Sequence, residues 1–536
     1  MARFAKSAAL FAALTIVMTW PQVPRLGTAA LEHQDVYFNM WRFAWVAHAL
    51  ASSPTQVFDG NIFYPEPRAL TFSDAMPVEA AIAVPLLWAH VAPVLVHNLL
   101  LLGGIVLSAA GMFVLASRLT ESAVAGVTAG IIFAFAPYRF EHYMHMELQW
   151  TVWMPWAFWA LHRALDTHRV RDGALVGLFG ALQFLSSIYY GIFLATLLGL
   201  AAVLLLCSAR GQALKRQVRQ LLAGAVVGAV ILAPYVLPYA KTRQEVGSRS
   251  AAQVLEFGAR PSSYLAATDT NLLYGARSAK FGRPERRLFP GLLALLLALV
   301  GLLLRPPTNN AIVYLLGAVA AFEMSLGLRG YSFTFLYDHV PLFTALRAPA
   351  RLGIFVIFFL AVLAAYGHAA IEAMLSKRWA PGVTIVIAGM LMLEYWVAPL
   401  RLVSYPNAPP PLYAWLAKQP RGVVAEFPMP LPDSLPGHEP RYAYMSTFHW
   451  MPLLNGYSGY YPQSYLGLIG SLRHFPDENA VTLLRGRGTR YVVVHTSLYP
   501  PDRGAEVLTQ ALTSPQLAQL GRFDDGAGGA VVFLVR

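Results

Sequence analysis

The sequence predicts a mainly α protein: a polytopic transmembrane helical bundle of about eleven spans plus juxtamembrane helices, with a small C-terminal α/β domain. Three observations predict it. The chain has 536 residues, 57% hydrophobic and only 13% charged, and its mean hydropathy is +0.49, too apolar for a soluble globule of this size. Lys and Arg then fall mainly on one side of the apolar segments, as membrane topology requires. Finally, the composition changes after Pro399, where the proline-rich linker Pro406 to Pro411 leads into alternating short strands and helices.

Arg3 and Lys6 precede the apolar run Ser7 to Trp20. It reads as an uncleaved signal anchor, with a cleavable signal peptide ending near Thr28-Ala29-Ala30 as the alternative. On either reading the following loop, 21–95, is exported. That loop contains a juxtamembrane helix over 36–51, a crossing punctuated by Asp59-Gly60 and Tyr64-Pro65-Glu66-Pro67, and a second apolar helix from Met76 to His90. Charge decides whether the last of these crosses the bilayer. If it lies at the interface, spans follow at 96–117, 123–137, 150–164, 173–187, 191–207, 221–239, 288–304, 310–327, 350–372 and 381–397. Arg118, Arg163, Arg169, Arg171, Arg210, Lys215, Arg216, Arg219, Arg305, Lys377 and Arg378 then join Arg3 and Lys6 on the cytoplasmic side, and the opposite short loops hold only Arg139, Arg329 and Arg347. The amino terminus is expected inside and the carboxyl terminus outside.

The expected domains are 1–398, transmembrane with its first outer loop at 21–95, and 399–536. The latter carries strands at Val423 to Phe427, Tyr491 to His495 and Ala530 to Val535, and its roughly 130 residues suffice for a core of their own. The net charge of +12 reports topology, so no nucleic-acid partner is expected, and the lone Cys207 excludes an intrachain disulfide framework.

With this parity the unusual chemistry gathers on the outer face. The first loop holds Glu32-His33-Gln34-Asp35-Val36-Tyr37-Phe38-Asn39-Met40-Trp41-Arg42, then Asn61-Ile62-Phe63-Tyr64-Pro65 and Ser73-Asp74, and a later loop holds Glu141-His142-Tyr143-Met144-His145-Met146-Glu147. A carboxylate near a bilayer is costly unless hydrated, paired or functional. Asp35 reads either as a helix cap or as a functional group. His142 and His145, three residues apart, share a helix face and suit either a common metal or phosphate contact or plain interfacial positions. The outer-face arginines Arg139, Arg283, Arg286, Arg287, Arg347 and Arg351 suit phosphate through charge-assisted hydrogen bonds, against interfacial anchoring as the plain alternative. Tyr37, Tyr64, Tyr189 and Tyr190 are placed to stack on a sugar.

The order Asp35, Phe38, Asn39, Arg42, then Phe63-Tyr64-Pro65, resembles the first outer loop of GT-C glycosyltransferases, including the catalytic subunits of oligosaccharyltransferases. Arg139 to Glu147, Phe289-Pro290-Gly291, Leu346-Arg347-Ala348-Pro349-Ala350-Arg351 and His449-Trp450-Met451-Pro452-Leu453-Leu454-Asn455-Gly456-Tyr457-Ser458-Gly459-Tyr460 are similar to bacterial GT-C and YfhO-like membrane proteins. No Trp-Trp-Asp-Tyr-Gly motif is present, so protein N-glycosylation is not implied.

The resemblance implies an inverting transferase in the cytoplasmic (inner) membrane, with its site and C-terminal domain on the extracytoplasmic face. It would move a sugar, hexosyl or pentosyl, from a polyprenyl-phosphate-linked donor to a hydroxyl of a glycan, lipid or protein. Asp35 is then the general base, with Asp74 and Glu141 as further catalytic carboxylates. Asn39, Arg42, Tyr64, His142, His145, Glu147, Tyr189, Arg286, Arg347 and Arg351 would bind substrate. Asp35, Asp74 and Glu141 would be the ligands if Mg²⁺ or Mn²⁺ is used. The rivals are a transporter or flippase of lipid-linked sugar, which would place ionisable groups near the midplane, and a non-catalytic assembly protein on the same fold.

Overall fold

The computed structural model describes residues 2–167, 169–207, 210–304, 308–376 and 378–536; Arg305 and Lys377 lie outside them. Helices occupy every segment read as a span, from Ala2–Met18 to Ala380–Glu394. Among the described residues, five are both long and apolar enough to cross a membrane: Pro93–Thr120, Ala123–Glu141, Ile188–Leu206, Gly211–Val246 and Pro349–Met374. The chain is an integral membrane protein. Pro77–Trp88, the helix placed at the interface, has only 12 residues, about 18 Å at 1.5 Å per residue and short of a bilayer core.

The chain divides into two compact units. The first comprises Met1–Pro24, Leu99–Val236 and Ser248–Leu400. Its helices approach closely through small residues, which is how apolar helices gain contact where lipid is as apolar as they are. At Gly177 a Cβ would stand 1.8 Å from the carbonyl oxygen of Gly224, so helix Val170–Ser186 meets helix Gly211–Val246 backbone to backbone. The outward side of the latter carries Leu222, Val226 and Val230, all exposed and spaced four apart, a stripe suited to lipid.

The second unit comprises Arg25–Asn98, Leu237–Gly247 and Arg401–Arg536, so the first outer loop belongs with the tail. Strand β1 (Ala29–Leu31) pairs antiparallel with β2 (Leu402–Ser404). Strands β3 (Val423–Phe427), β4 (Thr489–His495), β5 (Leu517–Phe523) and β6 (Ala530–Val535) form a sheet of order β3-β4-β6-β5, with β3 and β4 parallel and the other neighbours antiparallel. Every residue of β3 is buried, as a strand covered on both faces requires. The first loop is stitched to this domain through its backbone: Leu453 N donates to Asn61 O at 2.8 Å, Tyr64 N to Leu453 O at 3.0 Å and Phe63 N to Asn455 O at 3.0 Å. Gly456 lies against Phe63, whose ring a Cβ would strike at 2.4 Å.

Candidate functional site

In the first unit, chemistry gathers on the loop after helix Ala123–Phe135. Pro137 restarts the chain as the short turn Pro137–Glu141, ending at His142, and a second turn, Met146–Gln149, begins after His145. The buried Arg139 clamps the loop by donating from Nη1 to the carbonyls of Leu148 and Gln149, both at 3.2 Å. Gln149 Nε2 answers by donating to the carbonyls of Arg139 and His142, both at 2.8 Å. Arg139 thus shapes the loop through Nη1, while its Nε and Nη2 are buried with no hydrogen-bond partner.

The clamp holds two imidazoles toward a third group from a distant loop. His142, His145 and Glu285 each offer a ligand atom, and these atoms lie within 4.8 Å of one another. His145 Nε2 is 3.8 Å from Glu285 Oε1. Arg351 grips Glu285 with both arms, Nε to Oε2 at 3.2 Å and Nη2 to Oε1 at 2.8 Å. Burial alone would raise the Glu285 carboxyl, but Arg351 and the two histidines outweigh it and hold it well below the usual carboxylate range. Burial presses His142 down to about 3, so its ring is neutral. Both of its ring nitrogens are buried without a hydrogen-bond partner, although buried polar atoms are normally satisfied.

A neutral buried imidazole with unused nitrogens beside a second imidazole and an ionised carboxylate fits a divalent cation. This donor set suits Zn²⁺ or Mn²⁺ better than Mg²⁺. Among the described residues it is the group able to converge on an ion, and Asp35, Asp74 and Glu141 are not members of it. Glu141 instead pairs with Arg287 at 3.3 Å, and Arg287 also reaches Asp269 at 3.3 Å.

The remaining residues of this unit divide by what they touch. Tyr189 carries the Arg351 guanidinium over its ring at 4.9 Å, and its hydroxyl accepts from the Arg347 backbone N–H at 2.7 Å. The Arg347 guanidinium lies 4.9 Å over Phe257. Glu147 is half-buried, and its charge acts on Arg351. Arg286 is lowered from its ordinary value first by burial and then by Arg260, Arg283 and Arg329. That concentration of like charge favours an oxyanion.

In the second unit, His33 caps helix Gln34–Ser52 by accepting from Asp35 N at 3.1 Å. Asp35 is thus in the first turn and is not the cap. Its Oδ1 accepts from the Tyr457 hydroxyl, and its Oδ2 is 3.7 Å from His33 Nδ1. On the following turns Asn39 and Arg42 are almost wholly buried. Arg42 lies 4.4 Å over the Phe38 ring and reaches Ser73 Oγ at 3.4 Å, and its Nε and Nη1 are buried with no hydrogen-bond partner. Asp74 follows Ser73, whose carbonyl accepts from Tyr239 at 2.7 Å. Tyr64 is exposed and lines a cavity that does not include Asp35.

Glu285, Tyr457 and the buried group Glu426, His495 and Asp525 escaped sequence reasoning. Glu285 is the partner of His142 and His145 that spacing does not reveal. Tyr457 lies in the tail stretch His449 to Tyr460, but nothing local links it to Asp35.

No family model matches the sequence, and no curated protein matches it. By structure the chain is similar to the arabinofuranosyltransferase AftD from Mycobacteria, with a TM-score of 0.64 at 15% identity over 99% of this chain and 40% of that one. It is also similar to the oligosaccharyltransferase of Archaeoglobus fulgidus in complex with Zn and sulfate, with a TM-score of 0.53 at 13% identity over 99% and 72% of the two chains. The chain thus spans about two fifths of the length of AftD. At these identities the likenesses establish the fold alone, one that this chain shares with the two glycosyltransferases.

Proposed function

We propose, from the GT-C fold of this chain, that it is a membrane glycosyltransferase moving a sugar from a polyprenyl-phosphate-linked donor to an extracytoplasmic hydroxyl of a glycan, lipid or protein. The observation that carries this reading is the convergence of His142, His145 and Glu285 on a loop cluster with an arginine-rich neighbour, beside a fold shared with two glycosyltransferases. Such a pair of features suits a phosphate: a cation neutralises part of its charge, and guanidinium groups bind its oxygens. The Archaeoglobus neighbour holds Zn and sulfate, a cation and an oxyanion shaped like phosphate.

Transfer with inversion needs three acts. A base takes the acceptor hydroxyl proton, that oxygen bonds to the anomeric carbon, and the bond from this carbon to the phosphate oxygen breaks with its electron pair leaving on the lipid phosphate. Asp35 is assigned the first. It stands in the first turn of helix Gln34–Ser52. Tyr457, donating to Oδ1, fixes the orientation of the carboxylate.

Asp74 and Glu141 are assigned to orienting acceptor and donor, with Glu141 steadied by Arg287. The phosphate falls to Arg286 and its neighbours, since Arg351 is committed to Glu285. A divalent cation held by His142, His145 and Glu285 would supply charge neutralisation. The His142, His145 and Glu285 group and the Arg286 cluster lie in loops, which favours this reading over a transporter with a midplane site.

Mass spectrometry of envelope glycans and lipid-linked sugars, in cells with and without the protein, tests the proposal. Loss of a single-sugar modification supports transfer. Accumulation of a complete lipid-linked intermediate on one leaflet contradicts it in favour of transport.

A further inference from the structure

Helix Gln34–Ser52, which carries Asp35 in its first turn, ends at a different feature. Its later turns present Trp45, His48 and Ser52 to a cavity of 620 Å³, closed by the 56–67 segment and by Arg421, Trp450 and Pro452 of the same unit. That volume lies in the usual range for small-ligand pockets, about 300–1,000 Å³. From Asp35 to His48 the helix rises about 20 Å, so the cavity is removed from the proposed base.

Aromatic rings make one wall. His48 stacks on Trp450 with centroids 4.1 Å and planes 10° apart, and Trp45 stands 6.0 Å from Trp450 at 57°. The Trp45 indole N–H is already satisfied by the Val57 carbonyl at 2.9 Å. Trp450 is held with φ +53, a conformation that a bulky side chain rarely adopts. It is kept there by its N–H donating to Ser446 O at 2.7 Å and by Arg421 Nη2 donating to its carbonyl at 2.7 Å.

The other walls mix prolines with polar groups that are pre-set. Asp59 Oδ1 accepts from the Arg68 N–H at 2.8 Å, and Glu66 accepts from the Ser464 hydroxyl. An acyl chain would cover the rings but bury Asp59, Glu66 and Arg421 without giving them a partner. The two carboxylates oppose an anionic ligand, and Arg421 opposes a cationic one. A ligand with apolar C–H faces, many hydroxyls and no charge satisfies both rings and carboxylates.

We infer that this cavity is a saccharide-binding site, with a neutral sugar stacked on the Trp45–His48–Trp450 wall and its hydroxyls donating to Asp59 and Glu66. Sugar binding here stands without the transferase reading. Its role as an anchor for a glycan acceptor whose end reaches Asp35 rests on that reading.

The test is calorimetric titration of the full-length protein in detergent, without donor, using a linear arabinofuranosyl hexasaccharide and maltohexaose as probes. At least one should bind saturably. Trp450→Ala should weaken it about tenfold, Trp450→Phe only about two- to threefold, because an aromatic face remains. If Trp450→Ala fails to fold, Trp45→Ala and Glu66→Gln carry the test, each with an expected loss of several-fold. Absence of saturable binding of both hexasaccharides to the unmodified chain overturns the inference, as does undiminished binding by the folded variants. Binding in a chain that transfers no sugar would leave this inference standing while the transferase reading falls.

Discussion

His142 and His495 are both buried beside carboxylates and an arginine, yet only His495 has hydrogen bonds at both ring nitrogens. His495 Nδ1 bonds Asp525, and Nε2 is 2.7 Å from Glu426 Oε2, which also accepts from the Tyr413 hydroxyl at 2.8 Å. Arg441 stands 3.8 Å from Asp525. Burial opposes charge on His495, but the bonds to Asp525 and Glu426 outweigh it and hold the ring above the usual histidine range. At His142 burial is unopposed by any hydrogen bond, and the ring is pressed down to about 3. The same residue types therefore make an internal brace around a fully bonded imidazole in the tail and a ligand-ready set in the loop, and counting the imidazole's partners tells them apart.

The sharpest way to break this comparison is His495→Ala. It leaves two buried carboxylates without their common partner and should cost about 3–5 kcal/mol. Thermal unfolding of the full chain in detergent measures it, and a loss below about 1 kcal/mol would mean that the brace is dispensable. Arg351→Lys comes next. A lysine cannot reproduce the paired bonds to Glu285, so about 1.5–3 kcal/mol should be lost in the same assay.

The third effect is a pH dependence. His495 is raised in the fold, so its contribution is complete below about pH 6.5 and is lost as pH rises through its folded value. Asp525 is held at about 2, net of a burial effect that would raise it, by His495 first. Its contribution is present above about pH 3.9 and lost as pH falls through about 2. The thermal midpoint should therefore decline on the alkaline side, and His495→Gln should flatten that decline. An unchanged slope would remove His495 as its source.

The smallest stability effect belongs to His142→Gln, under about 1 kcal/mol, because no hydrogen bond is removed. That same variant should lose any bound Zn²⁺ or Mn²⁺, measured by elemental analysis after dialysis. Chelation of the unmodified chain should suppress transfer and added metal restore it. Indifference to chelation would leave the Arg286 group to stabilise the phosphate.

Much of the fold was legible because hydropathy is local. Apolar runs such as Pro93–Thr120 and Pro349–Met374 announce themselves, and the short helix Pro77–Trp88 was assigned to the interface by charge alone. His142 and His145 were legible from spacing. Glu285 was not, since it comes from the long loop before Leu292–Leu303 and meets them only in the folded chain. The attachment of 61–64 to 453–455 was equally hidden, because backbone hydrogen bonding across hundreds of residues leaves no local pattern. Arg351 reads from charge and position as one of a set of arginines suited to phosphate, and its carboxylate partner Glu285 is one that sequence could not supply.

The central claim is sugar transfer with Asp35 as the base. The measurement that tests it most directly is consumption of prenyl-phosphate-linked pentose and hexose donors by proteoliposomes containing either the unmodified chain or Asp35→Asn. The unmodified chain should consume at least one donor and form a glycosylated acceptor. Asp35→Asn, inserted to the same level, should show none. Transfer by Asp35→Asn at the unmodified rate would contradict the account.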